Sequence, residues 1–310
     1  MSYADIDRFS FETVTRLIGL VIITVIFLDH VIKKAKDRPV TRSHDNFCSS
    51  PNCLRCNFVI NLTQLKVKAG RQFLKNPREL ERLGHWISDD VYEDEERKPT
   101  KFYLPELLSF PVIERGFHEK DVDFLETNWE TIAREFEEIS STANFNQTNW
   151  TINSTPTGQW SVFYLINQGS EVMQNCKLCP ETMTIVKSLD DLLYECSFGN
   201  VCFTVLEPGT SISAHYGPCN VRSRCHLGLQ IPEGFELLVG SKTTTWSEGN
   251  CVLFDDSYFH SVECWRKTSG TRVVLMVDLW HFGLNPHERS AIQEIFPAVP
   301  TSENFQSKHE

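Results

Sequence analysis

The residues best suited to chemistry lie in the last third of the chain. Three histidines (His215, His226 and His260) and two arginines (Arg224 and Arg272) fall in or beside short apolar runs. Histidines about 45 residues apart can lie on two strands and share one metal ion. An arginine about 12 residues beyond the second histidine can lie on the following strand and reach the same pocket. This layout is typical of non-haem Fe(II) oxygenases, whose iron keeps open positions for a keto acid and O2.

The layout lacks one expected ligand. The usual oxygenase motif places Asp or Glu two residues after the first histidine. Here the sequence reads His215-Tyr216-Gly217, and glycine offers no side-chain ligand. From the residue types alone this weakens the prediction of a metal site, and a structural role for each histidine stays open.

Arg272 raises a separate question, because it stands inside the apolar run Thr271–Val277. A buried cation is costly unless an anion pairs with it. The carboxylate of a bound substrate is one candidate partner. The structural alternatives are Asp255, Asp256 and Asp278.

Short strands are the elements that must position these residues. After residue 155, apolar or alternating runs recur between turn residues such as Pro208-Gly209 and Gly217-Pro218. Several short strands in succession favour an antiparallel sandwich, jelly roll or barrel. The predicted strands are Trp160–Ile166, Thr182–Val186, Cys202–Leu206, Arg224–Ile231, Phe235–Val239, Cys251–Phe254 and Arg272–Leu279.

Helices are predicted before the strands. Residues Lys120–Ile139 carry apolar side chains with a period of about 3.6, which predicts one amphipathic helix packed on the sheet. Residues 61–85 show a looser helical pattern that Pro77 interrupts. The predicted class is therefore mainly β with flanking helices (α+β).

Residues 204–281 resemble the aspartyl/asparaginyl β-hydroxylase family of Fe(II)/2-oxoglutarate dioxygenases. The matching motifs are His215–Leu229 (HYGPCNVRSRCHLGL), Phe254–His260 (FDDSYFH) and Val277–His281 (VDLWH). The resemblance extends upstream through Gly158–Ser161 and Asn167–Gly169 to about residue 102. It implies a double-stranded β-helix, of jelly-roll or cupin-like type, as the catalytic domain.

The resemblance also implies roles for single residues. His215 and His260 would ligate Fe(II), and a glycine after the first histidine is what the family has. Arg272, with the hydroxyl of Thr204, would hold the distal carboxylate of 2-oxoglutarate.

Four further residues are assigned through the same resemblance. Arg224 and His226 match the pair near the metal-chelating end of the cosubstrate. Arg222 and Gln168 are carried over as substrate-binding candidates. Trp246 and Trp280 are interpreted as core residues.

The implied reaction uses Fe(II), 2-oxoglutarate and O2 to hydroxylate an unactivated C–H bond. The expected substrate is a protein, hydroxylated at the β-carbon of Asp or Asn. Two alternatives remain: hydroxylation of a lipid acyl chain by the same chemistry, and a catalytically inactive binding domain that retains the fold.

A single-pass membrane anchor is expected at residues 14–32. The run Leu17–Leu28 is apolar apart from Thr24, and a membrane span needs about 20 such residues. A cleaved signal peptide and a buried core helix are the alternatives. The predicted division is a tail at 1–13, the anchor at 14–32, a stalk and helical linker at 33–101, the dioxygenase domain at 102–295 and a tail at 296–310.

The orientation of this anchor is contested. The basic cluster Lys33–Arg38 favours a cytosolic flank. The stalk motif Ser50–Cys56 and the anchor resemble the membrane-bound aspartate β-hydroxylase domain-containing proteins, and we expect a type II protein with a lumenal catalytic domain in the endoplasmic reticulum or secretory pathway. Four Asn-x-Ser/Thr sites also favour a lumenal glycoprotein: Asn61, Asn146, Asn149 and Asn153.

Composition limits the partners. A net charge of -11, with no long basic run, excludes nucleic acid as an expected partner. The 11 cysteines leave at least one free thiol if the rest pair within the chain. The pairs Cys53/Cys56 and Cys176/Cys179 could form a zinc site or disulfides. Plain core thiols are expected at Cys202, Cys225 and Cys251.

Overall fold

Two antiparallel sheets form the centre of the computed structural model, which describes residues 54–88, 94–141, 150–264 and 270–299. The strands are β1 (Trp150–Asn153), β2 (Trp160–Asn167), β3 (Ser170–Glu171), β4 (Val201–Leu206), β5 (Ile212–His215), β6 (Arg222–Gln230), β7 (Phe235–Val239), β8 (Lys242–Thr244), β9 (Cys251–Phe254), β10 (His260–Cys264) and β11 (Arg272–Trp280). The larger sheet has the order β1-β2-β4-β11-β6-β9, with β3 paired to β2, and the smaller has the order β5-β10-β7-β8. The predicted mainly β class is confirmed.

The two sheets share an apolar cluster. Leu206 and Val274 of the larger sheet pack with Leu237, Val239 and Val262 of the smaller sheet. Because side chains alternate along a strand, each sheet can bury one face in this cluster and keep the other for a second layer. Helices cover the second face of the larger sheet, where Ile132 and Phe136 pack with strand residues such as Leu275. This is the layered arrangement that the jelly-roll prediction requires.

The helices are α1 (Leu54–Phe73), α2 (Glu81–Ile87), α3 (Glu119–Thr127), α4 (Trp129–Ser140), α5 (Met173–Cys176), α6 (Pro180–Lys187) and α7 (Pro286–Ile295), with a 3-10 turn at Arg115–His118. A capping box begins α7: the Asn285 side chain accepts from the Glu288 N–H, and the Glu288 carboxylate accepts from the Asn285 N–H.

The single helix predicted over Lys120–Ile139 is wrong in one respect. The chain leaves the helical conformation at Asn128 (φ -103°, ψ 9°), which separates α3 from α4. The Asn128 side chain donates to the Phe124 carbonyl and so competes with the backbone for the end of α3. The predicted apolar stripe is still buried, because Val122 and Ile132 both lie in the core.

The strand predicted at Thr182–Val186 is also wrong, because these residues lie in α6. Pro180 stands in the first turn of that helix, where its fixed φ favours helix initiation. The buried Glu135 carboxylate then accepts hydrogen bonds from the N–H groups of Glu181 and Thr182, at 2.9 and 2.7 Å. A carboxylate from α4 therefore accepts from backbone N–H groups that have no partner within the first turn of α6.

The described part of the predicted linker packs into the same unit as the sheets. Leu65 of α1 and Leu83 of α2 share a buried cluster with Trp280 of β11 and Ile292 of α7. Arg82 of α2 also pairs with the carboxylate of Glu288. Residues 62–88 therefore form part of the packed core.

Several predictions fall on the N-terminal part of the chain. The anchor, the basic cluster, Cys48, Cys53, Asn146 and Asn149 lie outside the described residues. In the part that the structure describes, no helix has both the length and the apolar composition to span a membrane. Asn61 lies within α1 and Asn153 ends β1. Among the described residues, Cys176, Cys179, Cys196, Cys219 and Cys225 are buried free thiols, and Cys251 is a half-buried free thiol.

Candidate metal and cosubstrate site

Two histidines face each other across neighbouring strands of the smaller sheet. His215 ends β5, His260 begins β10, and the strand register pairs the two residues directly. Their ring centroids lie 4.2 Å apart. The Nδ1 of His215 is 2.9 Å from the Ser213 carbonyl, and the Nδ1 of His260 is 2.9 Å from the Tyr258 carbonyl. Because a carbonyl oxygen only accepts, each Nδ1 carries the proton, and each Nε2 keeps a lone pair for a ligand.

Both imidazoles are held neutral. Burial lowers the pKa of His215, and burial together with the nearby His215 lowers the pKa of His260 to about 3. A metal-binding histidine must be neutral, so no proton has to leave before a cation binds at neutral pH. Orientation by a backbone carbonyl is also the usual support for such a ligand. The pair therefore fits a divalent metal ion.

A carboxylate from elsewhere in the chain occupies the space beside Gly217. A Cβ built on Gly217 would lie 2.5 Å from the Asp256 carboxylate, so the glycine is required for this approach. Asp256 is fully buried, and its backbone carbonyl accepts from the Gly217 N–H. Burial opposes ionisation, but Arg222 and Arg224 outweigh it and hold the pKa of Asp256 well below its usual range. An ionised carboxylate thus stands next to the position where the usual motif has one.

Two arginines and two aspartates form a buried network next to this point. Arg222 contacts Asp256 through Nε at 3.1 Å and Asp278 through Nη1 at 3.0 Å. Arg224 contacts Asp278 through Nε at 2.9 Å and Asp256 through Nη1 at 3.0 Å. Two cations and two anions compensate each other, so the network orients Asp256 and Arg224 at no net charge.

The two residues expected to contact substrate, Arg222 and Gln168, are both buried. The Arg222 side chain is buried, and its donors go to Asp256, Asp278 and the Phe198 carbonyl. Gln168 is placed in the turn between β2 and β3, where it is buried. Its backbone N–H donates to Asn200, and its carbonyl accepts from Val299. The structure therefore gives both residues surroundings made of the chain itself.

Arg272 differs from these arginines because no carboxylate of the described residues pairs with it. Its side chain is almost fully buried, with 1% of the residue exposed. Nη1 donates to the Thr204 hydroxyl at 2.9 Å, while Nε has no hydrogen-bond partner. Burial lowers the pKa of the guanidinium to about 9, so it stays charged at neutral pH. In the part of the chain that the structure describes, none of the structural alternatives Asp255, Asp256 and Asp278 is its partner.

His226 is held by a tryptophan. The Trp246 Nε1–H lies 3.3 Å from the His226 Nδ1. An indole N–H only donates, so Nδ1 accepts and the neutral ring carries its proton on Nε2. Burial and the charge of Arg272 lower the pKa of His226 well below its usual range. Trp246 and Trp280 are buried, as predicted from the sequence.

A second group of possible metal ligands lies outside this site. Among the described residues, His118, Asp121 and Asp191 bring ligand atoms within 4.8 Å of one another. Each is already satisfied: His118 bonds to Asp191 and to the Ser223 hydroxyl, and the Asp121 carboxylate accepts two backbone N–H groups. Arg289 donates to Asp191 at 2.6 Å, which brings a cation to the cluster. The group therefore fits a structural hydrogen-bond network better than a metal centre.

Comparison with known proteins adds a family context. The family model described as aspartyl/asparaginyl beta-hydroxylase matches residues 126–282, about half of the chain. Human aspartate beta-hydroxylase domain-containing protein 2 is 40% identical over 263 residues, which cover 81% of this chain and 70% of that protein. Human aspartyl/asparaginyl beta-hydroxylase is 36% identical over 183 residues, 59% of this chain and 24% of that protein. Among solved structures, the match to an oxidoreductase of the 2OG-Fe(II) oxygenase family from Burkholderia pseudomallei covers 58% of this chain and 98% of that chain at 16% identity, with a TM-score of 0.35.

Proposed function

Since the chain belongs to the aspartyl/asparaginyl β-hydroxylase family, we propose that it is an Fe(II)- and 2-oxoglutarate-dependent dioxygenase that hydroxylates an unactivated C–H bond. The observation that carries the proposal is Arg272, a buried cation without a carboxylate partner among the described residues. A site with such a group is suited to a ligand that brings its own carboxylate.

The side chains of the site suit both the metal ion and the keto acid. His215 and His260 offer two neutral imidazoles, which suit a divalent iron ion. Arg272 and Thr204 lie 2.9 Å apart on adjacent strands of the larger sheet, and together they offer a guanidinium and a hydroxyl to one carboxylate. We propose that this carboxylate is the distal group of 2-oxoglutarate.

Bound Fe(II) would activate O2 with the keto acid as co-reductant, and that chemistry belongs to the metal and the cosubstrate. The residues of the chain would hold the metal ion and the cosubstrate in position. The carbonyls of Ser213 and Tyr258 fix the two imidazoles, and Asp256 offers a carboxylate beside Gly217 that can accept a hydrogen bond from water in the place where the family lacks a protein ligand.

Arg224 and His226 complete the proposed cosubstrate pocket. Arg224 is fixed by Asp278, and His226 is fixed as a neutral ring with an Nε2–H donor. Both can donate to the chelating end of the keto acid. The surrounding aliphatic and aromatic core, which includes Phe254 at 4.9 Å from the His226 ring, excludes water from this side of the pocket.

The substrate that we propose is a protein, hydroxylated at the β-carbon of Asp or Asn, as the family name suggests. A lipid acyl chain is the second candidate, because Tyr216 and Phe259 form an aromatic pair, 5.0 Å between centroids, directly beside the two histidines. An apolar chain would pack against such a pair, whereas an acidic side chain would gain little from it.

The deciding experiment measures succinate formed from 2-oxoglutarate by the full chain with Fe(II) and O2. It compares EGF-like peptides, acyl substrates and no substrate. We expect turnover that one substrate class stimulates and that His260→Ala removes. If no condition gives succinate above the His260→Ala level, the enzyme proposal is rejected in favour of a binding domain.

We further propose that residues 14–32 anchor the protein in a membrane with the catalytic domain in the lumen. The support is the apolar run and the group of Asn-x-Ser/Thr sites. Expression in a eukaryotic cell followed by glycosidase treatment tests the orientation. A gel shift that disappears in an Asn146→Gln/Asn149→Gln/Asn153→Gln variant is expected, and a protein that carries no glycan and is digested from the cytosolic side would contradict the proposal.

A further inference from the structure

One tryptophan contacts two of the residues proposed to hold the keto acid. Trp246 lies between β8 and β9 and is 3% exposed. The guanidinium carbon of Arg272 lies 4.3 Å from the centroid of its ring. On the same indole, Nε1–H donates to His226 at 3.3 Å. The face and the polar edge of one side chain therefore act on two different partners.

Backbone hydrogen bonds hold the loop that carries Trp246 against β6, the strand that carries His226. The Gly228 N–H donates to the Asn250 carbonyl at 3.0 Å, and the Gly249 N–H donates to the Gly228 carbonyl at 2.9 Å. A Cβ built on Gly228 would lie 2.2 Å from the Ser247 carbonyl oxygen. Because residues two apart on a strand share a face, the gap at Gly228 lets the loop approach next to His226. The sequence of β6 therefore determines how closely the loop with Trp246 can approach that strand.

The contact with Arg272 leaves that residue's hydrogen-bonding capacity free. The face of an aromatic ring attracts a cation through its quadrupole and uses none of the N–H donors. Among the described residues, Arg272 has one hydrogen bond, to Thr204, and an Nε without a partner. An acidic side chain in the place of Trp246 would hold the cation equally well but would compete with an incoming carboxylate. The indole holds the guanidinium without that competition.

The contact with His226 determines which ring nitrogen of that histidine can donate to a ligand. Since Trp246 donates to Nδ1, His226 can act only through Nε2–H. The two rings are nearly parallel, at 20°, with centroids 6.1 Å apart, so the indole also limits rotation of the imidazole.

We propose that Trp246 is a positioning residue of the cosubstrate pocket, which orients Arg272 through its ring face and His226 through its Nε1–H. This inference rests on the proposed function, because 2-oxoglutarate is the ligand that both partners would meet. It assigns to a core tryptophan a role that core packing alone does not require.

Binding of 2-oxoglutarate to the full chain, loaded with Mn(II) in the absence of O2 and followed by calorimetry, tests this role without turnover. We expect Trp246→Leu to weaken binding about tenfold or more, because both contacts are lost. We expect Trp246→Phe, which keeps an aromatic face, to weaken it about threefold. The control is Trp86→Leu, which removes a tryptophan packed 5.0 Å from Phe102 in the cluster of α1 and α2 and should leave the affinity unchanged.

A double-mutant cycle separates positioning from general damage. In an Arg272→Gln background, Trp246→Leu should cost clearly less affinity than it does in the wild type. In a His226→Ala background, Trp246→Phe should have almost no further effect. Equal losses in the variant and wild-type backgrounds would overturn the proposal, because a merely structural role gives additive effects.

The possible results separate this inference from the proposed function. If the wild-type chain gives no heat with 2-oxoglutarate, both are rejected. If it binds and Trp246→Leu binds equally well, only the role of Trp246 is rejected. If Trp246→Leu does not fold, which thermal unfolding reveals, the Trp246→Phe cycle with His226→Ala decides alone.

Discussion

Replacing Arg272 by methionine should leave the stability of the protein without cosubstrate almost unchanged and abolish its response to cosubstrate. In the free protein the guanidinium is buried with one hydrogen bond and no carboxylate among the described residues. Methionine is similar in length, flexible and apolar, so it can pack on Trp246 without leaving a large cavity. The substitution therefore removes a buried charge but little volume.

The size of the effect follows from the surroundings of Arg272. Burial lowers its pKa from 12.5 to about 9, which corresponds to about 5 kcal/mol of unfavourable free energy. The hydrogen bond to Thr204 offsets about 2 kcal/mol. The contact with the Trp246 ring offsets about 2 kcal/mol more. A net cost of about 1 kcal/mol remains, and its removal is offset by about 1 kcal/mol because methionine leaves the buried Thr204 hydroxyl without its partner. The net cost of the buried charge is fully present at neutral pH, because the folded and unfolded pKa values both lie above 7 and the group is protonated in both states.

Urea unfolding of the full chain, with and without 2-oxoglutarate and Mn(II), measures both effects. Arg272→Met should unfold within about 1 kcal/mol of the wild type, and added 2-oxoglutarate should no longer raise its stability. The matched control is Arg222→Met, which breaks buried pairs with Asp256 and Asp278 and should cost about 3–5 kcal/mol. If Arg272→Met destabilised the free protein as strongly as Arg222→Met, the reasoning would be refuted, because Arg272 would then already be compensated.

Three other perturbations test the site. Gly217→Asp should not create a third metal ligand, because its Cβ would lie 2.5 Å from the Asp256 carboxylate, and Mn(II) affinity measured by calorimetry should fall rather than rise. Burial raises the pKa of Asp255 to about 6, so the wild type should lose about 3 kcal/mol of stability as pH rises from 4 to 7, and urea unfolding of Asp255→Asn should lack that loss. Gly228→Ala should push the Ser247 carbonyl away from β6, with a lower melting temperature and weaker 2-oxoglutarate binding; an unchanged affinity would show that the loop is not required.

The sequence predicts most strands of the larger sheet, because each is an apolar or alternating run between turn residues. It does not predict β5 and β10, the short strands of mixed polarity that carry His215 and His260. It also identifies Arg272, since a cation in an apolar run has to meet an anion. It predicts the segment Thr182–Val186 poorly, because five residues fit both a strand and a helix. The neglected signal is Pro180, which favours the first turn of a helix, while the capping by Glu135 is a tertiary contact with no local signature.

The environment of the proposed metal site is less predictable for a similar reason. Asp256 lies in the loop after β9, far along the chain from Gly217, and its carboxylate fills the space beside that glycine. The sequence indicates Asp256 only as a possible partner for Arg272. The compensation of Arg222 by Asp256 and Asp278 requires the register of β6 against β11, which composition does not contain. Trp246 was recognised as buried, but its partners depend on a loop that reaches β6 across Gly228. The burial of these side chains is thus easier to predict from the sequence than the residues that they contact.

The distribution of satisfied and unsatisfied groups separates scaffold from ligand site. Arg222 and Arg224 are compensated by Asp256 and Asp278, so these charges need nothing more. Arg272 lacks an anion among the described residues, and each of the two facing histidines has a backbone partner on Nδ1. A buried charge without an anion lowers stability, so a fold retains it where a ligand supplies the missing partner. The unsatisfied groups together match a metal ion and a carboxylate, and that match connects the fold to the proposed reaction.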